Sequence, residues 1–146
     1  MAYLILVMRN KPFLRIEPVS LDDQLLEVRV TADNGSFGGN ARIYTTYNAL
    51  REFGKTLQGF PHSRCDKKIF DHAKGLGYCF FNLRLYCHDS GGHVWAAVYL
   101  QDQYHRKDTV QLEFEVEPAA IDRFQSALLD MCRAESGMVE LEGLIA

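Results

Sequence analysis

Histidine and cysteine offer the most chemistry in this chain, and their spacing is loose. His62 and Cys65 form a His-x-x-Cys step, His72 follows, and Cys87, His88 and His93 gather further on. A structural zinc site needs tight ligand pairs, because four donors must meet in a tetrahedron. Only one half-pair is present here. Cys87 and His88 are neighbours, and on a strand neighbouring side chains point to opposite faces. Neither a zinc site nor any other cofactor is expected. Cys65 beside His62 could form a nucleophile pair, but no orienting group or oxyanion donor can be named for it. Cys79 and Cys87 fall on an apolar strand face, where thiols are inert. The motifs of serine hydrolases, zinc proteases and phosphate loops are absent, so no catalytic residue is assigned and the chain is expected not to be an enzyme. A hydrolase reading survives only if His62, Cys65 and His93 converge in space.

The same residues bear on compartment and size. The four cysteines do not form the dense framework of a small secreted protein, which suits a reducing cytoplasm. At 146 residues the chain is expected to be a single domain, residues 1–146, large enough to bury a core without staples. The apolar residues 1–8 lack a basic lead and are too short for a signal peptide or a membrane span, so residues 3–8 read as a strand. No membrane association is expected.

The remaining elements follow from periodicity. Residues 13–17 read as a short strand stopped by Pro18, and residues 20–23 as a polar connection. Leu26, Val28 and Val30 alternate with Glu27, Arg29 and Thr31 on a half-buried strand. Asp33-Asn34-Gly35 signals a hairpin, and the return strand contains Gly38 and Gly39, a bulge or a close backbone approach. Thr45 and Thr46 can cap a helix whose stripe is Tyr47, Leu50, Phe53 and Leu57; Gly59 and Pro61 end it. A short strand over residues 67–73 leads to a turn at residues 74–77.

Residues 78–100 give the clearest signal, two alternating strands around Asp89-Ser90-Gly91-Gly92. Cys79, Phe81, Leu83, Leu85 and Cys87 share one side, opposite Phe80, Asn82, Arg84, Tyr86 and His88. A polar loop over residues 101–108 leads to a third strand, with Val110, Leu112, Phe114 and Val116 inward and Gln111, Glu113 and Glu115 outward. Pro118 opens a second helix, with Ile121, Phe124, Leu128 and Met131 inward and Asp122, Arg123, Gln125 and Asp130 outward. The tail after Ser136-Gly137 can add an edge strand. The expected fold is α+β: a curved antiparallel sheet of about six to eight strands with two helices packed on it.

What remains outside the core sets the partner. Arg84, Tyr86, Trp95 and Tyr99, together with Phe80, alternate outward on neighbouring strands, and these residue types are enriched in interface hot spots. They form either a partner surface or a groove for a small ligand, unless a helix or the N-terminal strands cover them. Charge is asymmetric: residues 1–107 carry 14 basic and 10 acidic residues, whereas residues 108–146 carry 2 and 9. Glu113 and Glu115 belong to that acidic end, which suits docking to a basic partner. The run of Arg64, Lys67, Lys68 and Lys74 near Phe70 also holds Asp66 and Asp71, too little basic charge for nucleic acid.

The organisation resembles small bacterial proteins related to the WapI-type immunity proteins of polymorphic toxin systems. The resemblance rests on four features: residues 26–37, residues 44–57 with Leu50 and Phe53, the strands of residues 78–100 joined at Gly91-Gly92-His93, and residues 110–116 leading into the helix of Ile121, Phe124 and Leu128. It covers residues 25–132, and Glu117-Pro118 stands where members often carry Asp-Gln. It implies a non-enzymatic protein that binds and blocks a cognate toxin, and it transfers no catalytic residues. The partner is then a protein, a basic toxin domain, and a homodimer is compatible with the pattern. The alternative is a small-ligand module using the aromatic face.

Overall fold

The computed structural model describes residues 10–72, 79–87, 89, 91–102 and 108–145. The expected strand at residues 3–8, the turn at residues 74–77, His88, the His72 side chain and most of the loop after Gln101 lie outside them. Among the described residues, two helices and eight strands form an α+β fold, as expected. The strands divide into two four-stranded antiparallel sheets rather than joining in one.

The first sheet has the order β3-β2-β1-β8, with β1 at Phe13–Asp22, β2 at Leu25–Asp33, β3 at Gly38–Thr45 and β8 at Val139–Glu142. Pro18 does not end β1. The register shifts between Pro18 and Ser20, and β1 continues to Asp22, so Ser20–Asp22 is strand and not connection. The missing N–H is tolerated because β8 pairs only with Phe13 to Ile16, leaving Pro18 on an edge. The β2–β3 hairpin turns where expected. Asp33 accepts the Gly35 N–H, Asn34 accepts those of Ser36 and Phe37, and Gly35 takes a φ of 94°.

The second sheet has the order β4-β5-β6-β7, with β4 at Lys67–His72, β5 at Phe80–Cys87, β6 at Val94–Gln101 and β7 at Thr109–Val116. Helix α1, Tyr47–Thr56, follows β3, and its first turn is capped by Thr46, whose hydroxyl accepts the Ala49 N–H at 3.0 Å. Helix α2, Pro118–Ala134, starts on its proline and ends in left-handed Glu135, from which the chain returns as β8 beside β1.

One hydrophobic cluster takes residues from both sheets and both helices. Phe70 of β4 sits between Phe53 of α1 and Phe81 of β5, with ring centres 5.3 and 5.5 Å apart. Each such ring or branched aliphatic taken from water contributes about 1.5–3 kcal/mol. The sheets are also joined along β7. The Asn34 amide donates to the Glu113 carbonyl, and the Leu144 N–H to that of Glu115. Two backbone acceptors on the open edge of β7, those of Glu113 and Glu115, are therefore occupied.

Gln125 corrects the expected faces of α2. It is 6% exposed, and its amide bonds to the Gly54 carbonyl of α1. Among the described residues, no helix is long and apolar enough to cross a membrane.

Candidate functional site

The loose His/Cys set comes together only in part: Cys65 and Cys87 line one depression of about 630 Å³ with Asp66 and Asp89. His62 sits against Asp66, with Nδ1 and the carboxylate 3.3 Å apart, and His93 against Asp89 at 2.8 Å. Each imidazole is held by a carboxylate four residues away in its own loop. The His93–Asp89 hydrogen bond raises the imidazole pKa, and the same bond, with the Gly91 N–H, lowers that of Asp89. Asp66 is likewise lowered, chiefly by the His62 backbone N–H. Cys65 is exposed, and Cys87 is half-buried with its thiol donating to the Ser63 carbonyl. Among the described residues, no three His, Cys, Asp or Glu side chains are grouped to hold a metal ion. The basic run also fails as a stacking platform, because Phe70 is in the core and Lys68 leans on Asp66 at 3.8 Å.

The outward residues of the second sheet do assemble. Strand register places them in rows. One row is Lys67, Tyr86, Trp95 and Glu115; the next is Ile69, Arg84, Ala97 and Glu113; a third is Asp71, Asn82, Tyr99 and Gln111. Phe80 lies beyond the third row, its ring edge-on to Tyr99 at 5.3 Å. Arg84 stacks over the Tyr86 ring at 4.6 Å, and the Tyr86 hydroxyl donates to Glu113 at 3.0 Å. Partial burial, together with that bond, raises the Tyr86 pKa, so it stays a neutral donor.

Ile69, Arg84, Gln111 and Glu113 are exposed, so no described element lies over the middle of this face. Tyr86, Trp95 and Tyr99 are half-buried by their neighbours on the sheet. The face therefore carries Lys67 and Asp71 on β4, Arg84 on β5, aromatic rings along its centre and carboxylates on β7. An open depression of about 600 Å³ lies over Ala97, between Arg84 and Glu113.

Sequence reading placed Arg84, Tyr86, Trp95, Tyr99, Glu113 and Glu115 on this surface, and all six are there. It missed Ile69 and Ala97, although alternation with buried Phe70 and Ala96 points both outward. The acidic end is dispersed. Glu140 pairs with Arg15 at 2.7 Å on the first sheet, and Asp130 pairs with Arg133 on α2. Only Glu113 and Glu115 join the aromatic face.

No family model matches this chain, and no curated protein and no solved structure matches it significantly.

Proposed function

We propose that this chain is a non-enzymatic binding protein whose working surface is the outer face of the second sheet. The supporting observation is the row Arg84, Ala97, Glu113, which leaves an uncovered cation and carboxylate beside half-buried Tyr86, Trp95 and Tyr99. Such a mixture gives large rigid contact area and charge in fixed register. The resemblance to immunity proteins gives the partner its character: a basic toxin domain, blocked by occlusion in the bacterial cytoplasm. Glu113 and Glu115 meet its cations and the aromatic centre supplies the apolar contact.

The test begins with the gene next to this one. A toxin encoded there should co-purify with the wild type. Capture should fall by about tenfold or more for Trp95→Ala and for the pair Glu113→Gln and Glu115→Gln, as for anchor residues of an interface. Equal capture by all three proteins overturns the assignment of the face.

The depression over Ala97 favours a second reading, a small ligand with one anionic and one cationic end held between Arg84 and Glu113. Filling it with Ala97→Trp should then abolish a thermal shift produced by amino acids or short peptides.

A further inference from the structure

We propose that the outer face of the second sheet is self-complementary and takes a second copy of this chain. The inference rests on the reading of that face as the working surface. Outward on β5 stand Asn82 and Arg84, each with a hydrogen-bond donor, and Tyr86, whose hydroxyl already donates to Glu113. Two strands away on β7, in register, stand Gln111, Glu113 and Glu115, each with an acceptor. Between them β6 presents Tyr99, Ala97 and Trp95.

A twofold axis laid along β6 exchanges the two sides of the face and keeps the order along the strands. It places Arg84 over Glu113 of the second copy, Tyr86 over its Glu115 and Asn82 over its Gln111. Each contact occurs twice, as an isologous interface requires. Ala97 falls on the axis, where its small side chain permits close approach, with rings above and below it. An axis laid across the strands instead sets Arg84 over Arg84 and Glu113 over Glu113, which like-charge repulsion disfavours. The face thus selects one orientation, and that one matches the aligned packing of twisted sheets.

Three features fit this occupant. Arg84 stacks on Tyr86 and has no carboxylate within ion-pair distance among the described residues. The Glu113 and Glu115 carbonyls on the β7 edge are already used by Asn34 and Leu144, which disfavours strand addition at that edge. With strands ~4.8 Å apart and same-face residues ~6.8 Å apart, the three strands and three rows that meet cover roughly 14 by 20 Å. That area is below the standard size of specific interfaces, so the dimer is weak, dissociates readily and yields the face to a tighter partner.

Sedimentation of the purified chain from about 10 μM to about 1 mM, the range expected for a small interface, tests the proposal. The weight-average mass should climb from 16.7 kDa toward twice that value. Arg84→Glu alone and Glu113→Arg alone should each weaken association by about tenfold or more, because each sets like charges opposite one another. Mixing the two variants should restore association, since every opposed pair then has unlike charges. A wild type that stays monomeric throughout, or a mixture that associates no better than its components, overturns the proposal. A monomeric chain that still captures its toxin through Trp95 removes only the twofold assembly. Capture insensitive to the face removes the binding reading instead.

Discussion

The side-chain amide of Gln125 on α2 donates to the backbone carbonyl of Gly54 on α1 at 2.9 Å, and the bond is buried between the two helices. Gly54 permits this approach. A side chain there would meet Leu129 Cδ2 at 3.1 Å and Leu128 Cδ2 at 3.3 Å. The Gly54 carbonyl also accepts the Leu57 N–H, so it keeps one partner if Gln125 is lost. Gln125→Leu is therefore expected to cost about 1 kcal/mol, the net value of one hydrogen bond and not the penalty of an orphaned carbonyl. Urea unfolding at unchanged m-value measures it. An unaltered midpoint would show that the bond adds nothing net.

Gly39 answers to β7. The β2–β3 register runs unbroken through Gly38 and Gly39, so these glycines mark no bulge. A Cβ at Gly39 would lie 2.5 Å from Val110 Cγ2, a contact a stiff β-branched side chain cannot relieve. Gly39→Ala should destabilise by about 1–3 kcal/mol through overpacking. In a Val110→Ala background most of that cost should vanish. A double-mutant cycle with no coupling would remove this contact as the reason for glycine.

The β5–β6 turn carries a pH dependence. Asp89 ionises more readily than usual, so its contribution is present above about pH 4 and is lost as pH falls through its lowered pKa. His93 holds its proton longer than usual, so its contribution is complete below about pH 6.5 and is lost as pH rises through its raised pKa. The pair acts together between these limits. An NMR titration of the His93 ring should give a midpoint above the ordinary histidine value, and Asp89→Asn should bring it down. A midpoint indifferent to that substitution would show that the 2.8 Å contact is not maintained in solution.

Thiol reactivity should follow burial. Cys79 and Cys132 are buried, and burial pushes both thiols up in pKa, away from the reactive thiolate. Cys87 is raised for the same first reason. Cys65 alone is exposed. An aromatic disulfide reagent should modify one thiol quickly in the native protein and all four after denaturation, with the fast phase lost in Cys65→Ser. Two fast thiols would place Cys87 in open solvent.

Most elements were legible because their signals are local. Alternation marked Leu26, Val28 and Val30, and Phe81, Leu83 and Leu85. The Thr46 cap and the stripe through Leu50 and Phe53 marked α1, and Pro118 marked the start of α2. Pro18 misled because its tolerance depends on where β8 stops. Gln125 misled because a polar side chain on a helix reads as solvated unless the opposing carbonyl is known. The acidic end read as one pole because sequence distance cannot reveal that Glu140 faces Arg15.

By itself the sequence determined the two helices, the alternating strands and the outward placement of Arg84, Tyr86, Trp95, Tyr99, Glu113 and Glu115, since period and turn chemistry act over a few residues. The tertiary structure decided that the strands split into two sheets, that Asn34 and Leu144 engage the Glu113 and Glu115 carbonyls of β7, and that Arg84 and Glu113 flank Ala97 in one row. Those relationships depend on pairing between strands far apart in the chain, and only the closure of the shared core fixes it.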